Sequence, residues 1–203
     1  MSLKEDLFKK FPIEELDKLK TTFPINSNRL KYFDYNQFLS EAINEAFIMG
    51  ITNKEKKCIL DISCGTGYFA WVCREIGHDV VVTDHPNIPY EKIRKILNMP
   101  YIVHTFTKNS YNKLPFNKNS FDYIKATRVL PMSFWIETIW ENFLYDCYNI
   151  LKSNGIVLIY PNVNLQCGYN SLTRILEIED IKKLFKLYKH PDGAYILTSN
   201  KLN

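Results

Sequence analysis

One stretch of the sequence decides the fold, and it reads Ile59-Leu60-Asp61-Ile62-Ser63-Cys64-Gly65-Thr66-Gly67-Tyr68. Its first half is a short apolar run typical of a buried strand, and its second half holds two of only 7 glycines in the chain. Because glycine has no Cβ, Gly65 and Gly67 allow the backbone to turn sharply and to approach a ligand closely. The sequence after Tyr68 is helix-like, and the first turn of such a helix offers free N–H groups. The stretch therefore predicts a strand, a ligand-binding turn and a helix.

Strands and helices alternate after this stretch. Apolar runs predict strands at 79–84, 101–106, 121–126 and 155–160, and helical spacing predicts helices at 68–76, 90–97 and 136–151. Near-continuous apolar strands separated by helices indicate a mostly parallel sheet with helices on both faces. A helix at 177–184 and two strands around Pro191-Asp192-Gly193 predict an antiparallel terminal hairpin. The expected fold class is α/β.

Residues 1–56 have a different pattern, because their apolar residues follow helical spacing only. Helices are predicted on either side of Pro12 and again at 35–49, before Gly50. No Pro-, Gly- or Ser-rich linker divides the chain. We therefore expect one compact unit with two parts, an N-terminal helical cap at 1–56 and an α/β domain at 57–203.

Composition excludes several classes of protein. Of the 203 residues, 46% are hydrophobic and 24% are charged, which is ordinary for a globular protein. No apolar run approaches the ~20 residues of a membrane span, and the first residues show no signal-peptide core, so we expect a cytoplasmic protein without a membrane partner. The five cysteines form no C-x-x-C pair, which argues against a disulfide framework and a zinc ribbon, and no metal site is predicted. The net charge of +4 is spread along the chain, so nucleic-acid binding is not expected. We expect the chain to be a monomer or a homodimer.

Asp84 ends the second predicted strand, about 20 residues after the glycines, where a carboxylate can accept both hydroxyls of a ribose. Together these features predict a nucleotide-like cofactor, although Asp84 could instead only cap the next helix. The run from Gly65 to Ala70 also fits G-x-G-x-x-A, so a nicotinamide cofactor is an alternative. Asp61 disfavours that alternative, because a pyrophosphate would meet its negative charge, whereas an ammonium group would be attracted.

Four motifs, in order along the chain, resemble those of class I S-adenosylmethionine-dependent methyltransferases. They are the glycine stretch, Asp84, the run Leu114-Pro115-Phe116 with Ser120-Phe121-Asp122, and the run Leu151-Lys152-Ser153-Asn154-Gly155. The resemblance covers roughly residues 57–160 and is greatest to small bacterial members of undefined substrate. It implies a Rossmann-like, mostly parallel sheet of seven strands, with S-adenosyl-L-methionine as cofactor and S-adenosyl-L-homocysteine as product.

The resemblance also implies the cofactor-binding residues, which are Asp61, Ser63, Cys64, Gly65, Thr66, Gly67, Asp84, His85 and Arg128. Asp84 would hold the ribose, His85 would flank the adenine, and Arg128 would face the carboxylate or the acceptor. The loop at 106–114 would cover the adenine edge. The chain departs from the family pattern at Ser63 and Asn154, which replace glycines. The family's usual Asp shortly before the Leu114-Pro115-Phe116 run is also missing, and Ser110 and Asn112 are found there instead.

Methyl transfer is an in-line displacement in which alignment of the reactants supplies much of the rate. A base is needed only for weakly acidic acceptors, and no catalytic residue is assigned among the candidates His85, His104, Tyr35 and Arg128. We expect His104 to lie in the core, and His78 and His190 to be solvated at turns. Phe134, Trp135 and Trp140 either line an acceptor pocket or pack in the core, and their helical spacing favours packing.

A small-molecule acceptor is expected, because residues 161–174 and the N-terminal helices would form a lid over a small pocket. The chain has no Asn/Asp-Pro-Pro-Tyr/Phe motif after residue 126, which argues against the amino-methylating DNA enzymes. It also has no Pro-Cys pair, which argues against methylation of cytosine at C5. The alternative functions are a cofactor-binding protein without turnover and, less favoured, a nicotinamide-dependent oxidoreductase.

Overall fold

The computed structural model describes residues 2–52, 55–161 and 166–201. The strands are β1 (Cys58–Ile62), β2 (Asp79–Asp84), β3 (Ile102–Val103), β4 (Phe121–Thr127), β5 (Leu151–Tyr160), β6 (Phe185–Lys189) and β7 (Tyr195–Ser199). The α-helices are α1 (Leu3–Lys10), α2 (Ile13–Lys20), α3 (Tyr35–Ile48), α4 (Tyr68–Glu75), α5 (Ile88–Ile96), α6 (Glu137–Ile150), α7 (Gln166–Leu176) and α8 (Glu179–Leu184). Two 3₁₀ helices lie at Asn28–Phe33 and Leu130–Phe134.

The strands form one seven-stranded sheet in the order β3-β2-β1-β4-β5-β7-β6. The first five in this order pair in parallel, whereas β7 is antiparallel to both β5 and β6. The predicted mostly parallel sheet with an antiparallel terminal hairpin is therefore confirmed. The strand order reverses between β1 and β4, and in such sheets ligands bind in the crevice at the carboxyl ends of the strands beside this point.

Helices cover both faces of the sheet, as predicted. One face packs against α6, α7 and α8, and the other packs against α4, α5 and the N-terminal helices. The ring of Phe11, just after α1, lies 5.3 Å from the Tyr68 ring and 4.9 Å from the Trp71 ring of α4. The N-terminal residues thus share a core with the helix that follows the glycine turn. The division at 56/57 stays a prediction.

His78 joins these two parts of the chain. It is only 4% exposed, its Nε2 donates to the Ile51 carbonyl at 2.6 Å, and its Nδ1 accepts the Lys57 N–H at 3.3 Å. The expectation that His78 is solvated is therefore wrong. Its position at a turn after α4 suggested exposure, but the segment that precedes β1 covers it.

Two strands and one helix differ from the predicted bounds. The strand predicted at 101–106 is only two residues long, because it pairs with β2 at Thr83 and Asp84 alone. The break predicted at 153–155 lies inside β5, where Asn154 has a φ of +58° and the pairing with β4 shifts register. Helix α7 occupies most of the stretch that was expected to be a polar lid.

None of the helices within the described ranges combines the length and the apolar character that a membrane crossing requires.

Candidate functional site

A cavity of about 600 Å³ opens at the carboxyl ends of β1, β2 and β4. Its wall combines the turn after β1, the end of β2, the segment after β4, and residues of the N-terminal helices. Seven of the nine predicted cofactor-binding residues line it: Ser63, Cys64, Gly65, Thr66, Asp84, His85 and Arg128. Asp61 and Gly67 lie behind this surface. The cavity therefore lies at the crevice where the strand order reverses.

The turn after β1 depends on residues in the left-handed region. Gly65 has a φ of +57°, and a Cβ on it would meet nothing within 4 Å, so the backbone borders open space there. Gly67 has a φ of +82° and precedes α4, and a Cβ on it would lie 3.3 Å from Arg94 Cγ. Gly65 thus leaves room on the cavity side, and Gly67 leaves room for the buried arginine behind the turn.

Ser63 also lies in the left-handed region, with a φ of +54°. This is one of the two positions at which a glycine of the family pattern is replaced, and the other, Asn154, has a φ of +58°. The backbone therefore keeps the glycine-like conformation although the side chain has changed. Asparagine tolerates this region well, but serine does so at a cost of roughly 1–2 kcal/mol.

We expect Ser63→Gly to raise the free energy of unfolding by about 0.5–1 kcal/mol, because relief of the strained φ exceeds the added entropy of the unfolded chain. Chemical denaturation measures this change. Ser63→Ala is the matched control, since it removes the hydroxyl but keeps the Cβ. A gain in stability from Ser63→Ala as large as that from Ser63→Gly would contradict the explanation from backbone strain.

Asp84, which lines the cavity, forms a buried ion pair with Arg94, which lies behind the cavity wall. Arg94 Nη1 lies 2.6 Å from Asp84 Oδ2, and the two side chains are 1% and 2% exposed. The same Nη1 donates to the Gly65 carbonyl, and the guanidinium lies 4.1 Å from the centre of the Tyr101 ring. Asp84 Oδ1 accepts the His85 N–H at 2.9 Å. Arg94 therefore ties the glycine turn to the end of β2 and fixes both in one geometry.

Asp61 is fully buried and pairs with a lysine of the neighbouring strand. Lys125 Nζ lies 3.2 Å from Asp61 Oδ1 and 3.5 Å from Glu45 Oε2 of α3. Burial raises the pKa of the Asp61 carboxyl to about 6, although the Lys125 charge acts in the opposite direction. Burial alone would lower the pKa of Lys125, but the carboxylates of Asp61 and Glu45 raise it above its ordinary value.

The raised pKa of Asp61 predicts a pH effect on stability. The folded chain binds this proton more tightly than the unfolded chain, whose Asp pKa is 3.8, so the stability that Asp61 contributes falls as pH rises from 3.8 to about 6. We expect the unfolding free energy of wild type, relative to Asp61→Asn, to fall by on the order of 1–3 kcal/mol across this range. Denaturant titrations between pH 4 and pH 7 measure the difference. A difference that does not change with pH would contradict the prediction.

The comparisons with known proteins agree with this geometry. Residues 60–159, about half of the chain, match the family model for a methyltransferase domain. The chain belongs to the class I S-adenosylmethionine-dependent methyltransferases. Its cofactor is S-adenosylmethionine, and the family match favours this cofactor over the nicotinamide alternative. A search of curated protein sequences finds no match.

Solved structures show that the methyltransferase fold extends over most of the chain. The PH0226 protein from Pyrococcus horikoshii is 18% identical with a TM-score of 0.59, and the alignment covers 96% of this chain and 98% of that one. A TehB-like SAM-dependent methyltransferase from Corynebacterium glutamicum is 18% identical with a TM-score of 0.55, over 86% and 98% of the two chains. A putative S-adenosyl-L-methionine-dependent methyltransferase from Methanococcus maripaludis is 15% identical with a TM-score of 0.55, over 96% and 95%.

The cavity of this methyltransferase has the chemistry that its cofactor requires. The open space beside Gly65 admits a ligand against the backbone, and the Asp84 carboxylate borders the same cavity with acceptor capacity beyond its two protein partners. The lining also includes the carboxylates of Glu41 and Glu45. The carboxylates of Glu41, Glu45 and Asp84 outnumber the cations Lys125 and Arg128 in the described lining, which suits a ligand that carries a sulfonium cation.

Aromatic rings surround the Asp84 end of the methyltransferase cavity. The Tyr32 ring, from a 3₁₀ helix, lies 4.9 Å from the Tyr90 ring of α5, and the His85 ring lies 6.5 Å from that of Tyr90. Thr105 and Phe106 line the cavity as well, whereas residues 107–114 do not. The predicted cover at 106–114 therefore reaches the cavity only at its first residue.

The candidate bases differ in their access to the cavity. His85 and His104 line it, and His104 is half-buried rather than part of the core as we expected, because β3 ends at Val103. The Nε2 of His104 donates to the Asn112 carbonyl at 3.1 Å. Tyr35 does not line the cavity, and its hydroxyl lies 3.5 Å from Asp17 Oδ2.

The two tryptophans and the described part of the expected lid lie away from the cavity. Trp135 and Trp140 are buried in the core on the other side of the sheet, as their spacing favoured, and they donate to the Thr107 and Gly168 carbonyls. The described residues of α7 pack against α6 and the 3₁₀ helix at Leu130–Phe134, and none lines the cavity. Residues 162–165 of the expected lid lie outside the described residues.

Arg128 and Glu41 connect the strand edge to the N-terminal helices. Arg128 Nη1 lies 2.5 Å from Glu41 Oε2, and both residues line the cavity. Arg128 has a φ of +55°, and its N–H donates to the Tyr160 carbonyl at 2.8 Å. Sequence reasoning missed Glu41 and Glu45 as site residues, because their contribution depends on how α3 packs against the sheet.

Proposed function

We propose that the chain methylates a small-molecule acceptor by in-line transfer from S-adenosylmethionine. The observation that supports this proposal is the enclosure of the cavity by Tyr32, Phe38, Glu41, Ala42 and Glu45, which belong to the N-terminal residues. A volume of about 600 Å³ lies in the range typical of sites for small ligands. Such a site leaves space for a small acceptor beside the cofactor and little for a protein segment.

The residues of the chain act by holding the reactants in line. The cofactor would supply a methyl group on a sulfonium, and its sulfur would leave as the neutral thioether of S-adenosylhomocysteine. Asp84 would hold the ribose, and the turn at Ser63–Gly67 would hold the part of the cofactor next to the sulfur. Rigid support behind these contacts comes from Arg94, which is bonded to both Asp84 and the Gly65 carbonyl.

The acceptor side is formed by the segment after β4 and by α3. Arg128 and Glu41 place a cation and an anion at this side, and Thr127, Leu130 and Pro131 supply further lining. A left-handed φ at a non-glycine residue is a costly conformation that concentrates at functional sites. The φ of +55° at Arg128 therefore supports a role in orienting the acceptor.

Calorimetric titration and methyl-transfer assays test the proposal in two steps. We expect wild type to bind S-adenosylhomocysteine and not NAD, and to transfer a labelled methyl group to a component of a small-metabolite extract. Glu41→Gln is expected to lower the rate of transfer and to leave S-adenosylhomocysteine affinity within about twofold, since Glu41 lies on the acceptor side.

Label incorporated into protein or nucleic acid instead of small metabolites would contradict the small-molecule acceptor. Binding of S-adenosylhomocysteine without transfer to any fraction would favour the alternative of a cofactor-binding protein without turnover. Absence of binding would contradict the proposed function as a whole.

A further inference from the structure

The sequence predicts that the Asp61 carboxylate contacts the cofactor, whereas the structure places the ammonium group of Lys125 at the cavity wall. In the parallel ladder between β1 and β4, Lys125 is the partner of Asp61. Lys125 lines the cavity, whereas Asp61 is 0% exposed and does not line it. A ligand that enters this part of the cavity therefore meets the lysine and not the aspartate behind it.

The Lys125 side chain is held in place from three directions. Its Nζ lies 3.2 Å from Asp61 Oδ1, 3.5 Å from Glu45 Oε2 and 4.8 Å from the centre of the Phe69 ring. An ammonium group has three N–H donors, and the two carboxylates account for two of them. A fixed cation with remaining donor capacity is thus available at the cavity wall.

Glu45 provides the opposite charge at the same place. It comes from α3, its side chain is 13% exposed, and it lines the cavity together with Lys125. The two charged groups lie 3.5 Å apart, which is close to the separation of the ammonium and carboxylate groups of an α-amino acid. A zwitterion can therefore bind both groups at once, each to the side chain of opposite charge.

We propose that Lys125 binds the carboxylate of the cofactor's methionine part, and that Glu45 binds its ammonium group. This inference rests on the proposed function, and it changes the part that Asp61 plays in it. Asp61 becomes a positioning residue, which holds Lys125 from behind and does not touch the cofactor. Charge-assisted hydrogen bonds of this kind are roughly twice as strong as neutral ones, especially where water is excluded.

The energetics of the buried cluster support a binding role over a purely structural one. A buried ion pair is itself a weak source of stability, because desolvation of the charges offsets their attraction. Proteins tend to keep buried charges that add little stability at functional sites, and this ion pair lies at the cavity wall.

Three ligands that differ only at the amino-acid end test the assignment by equilibrium binding. S-adenosylhomocysteine carries both the carboxylate and the ammonium, S-adenosyl-3-thiopropylamine carries only the ammonium, and 5′-deoxy-5′-methylthioadenosine carries neither. Their affinities are measured calorimetrically for wild type, Lys125→Met and Glu45→Gln. Lys152→Met is the matched control, since Lys152 forms a comparable pair with Asp122 at 2.9 Å but does not line the cavity.

Each variant has its own expected pattern. Lys125→Met lowers the affinity for S-adenosylhomocysteine by about ten- to hundredfold and leaves the other two affinities unchanged or, for the amine, tighter. Glu45→Gln lowers the affinity for both ligands that carry the ammonium and leaves that for methylthioadenosine unchanged. Lys152→Met changes none of the three.

An equal loss for all three ligands in Lys125→Met would overturn the proposal, because it would show that Lys125 only supports the cavity wall. An unchanged affinity for S-adenosylhomocysteine would overturn it too. If Lys125→Met fails to fold, Asp61→Asn/Lys125→Met removes the unpaired buried carboxylate, and the same ligand pattern is expected of it. Failure of wild type to bind any of the three ligands would refute the proposed function as well, whereas binding without the expected pattern refutes this inference alone.

Discussion

Asp84→Asn is expected to lower the affinity for S-adenosylhomocysteine by at least about hundredfold. The Asp84 carboxylate borders the cavity at the end of β2, where it can accept hydrogen bonds from both ribose hydroxyls. Asparagine has a single acceptor oxygen and carries no charge, so one of these bonds is lost and the other is weakened. Hydrogen bonds to charged groups contribute about 1.5–3 kcal/mol each, and two of them account for a loss of this size. Calorimetric titration of both proteins measures it.

The control for this prediction separates binding from folding. Asp84 Oδ2 accepts from Arg94 Nη1 at 2.6 Å, and the amide oxygen of asparagine can still accept this bond. The variant is therefore expected to remain folded at 25 °C, with a circular dichroism spectrum like that of wild type. A folded Asp84→Asn protein that binds S-adenosylhomocysteine as tightly as wild type would remove Asp84 from the ribose site.

Most of the fold could be predicted because its signals are local. The apolar runs of β1 and β2, the glycine turn and the helix that starts at Tyr68 each carry their own pattern within about ten residues. The short β3 could not be predicted, because only Thr83 and Asp84 of β2 pair with it, and this register is not encoded near Ile102. The same holds for the irregularity at Asn154, where the left-handed backbone lies inside a strand and does not end it.

The site was predicted less completely, because its buried charges pair over long distances in sequence. Seven of the predicted residues line the cavity, yet Lys125, Glu45 and Arg94 were missed. Lys125 did leave a signal, since a lysine inside the apolar run of β4 is unusual for a strand buried on both faces. Its partner, Asp61, became apparent only from the β1–β4 register. Arg94 left no such signal, because a basic residue near the end of a helix is ordinarily solvated.

Arg94→Met is expected to lower the free energy of unfolding by about 3–5 kcal/mol, which is typical when one partner of a buried ion pair is removed. The Asp84 carboxylate would keep its burial and lose its cation, since both side chains are at most 2% exposed. Methionine preserves most of the side-chain volume beside Gly67 and Tyr101, so the loss would report the charge and not a cavity. Denaturant titration monitored by tryptophan fluorescence measures this change.

The double variant Asp84→Asn/Arg94→Met shows whether the pair accounts for that loss. Because the buried carboxylate is then neutral, we expect the double variant to be more stable than Arg94→Met alone, with a coupling energy of about 1–3 kcal/mol between the two positions. Stability would thus be partly restored while S-adenosylhomocysteine affinity stays low, since the carboxylate needed for the ribose is absent. Additive effects of the two substitutions would mean that Arg94 stabilises the turn through the Gly65 carbonyl and the Tyr101 ring, independently of Asp84.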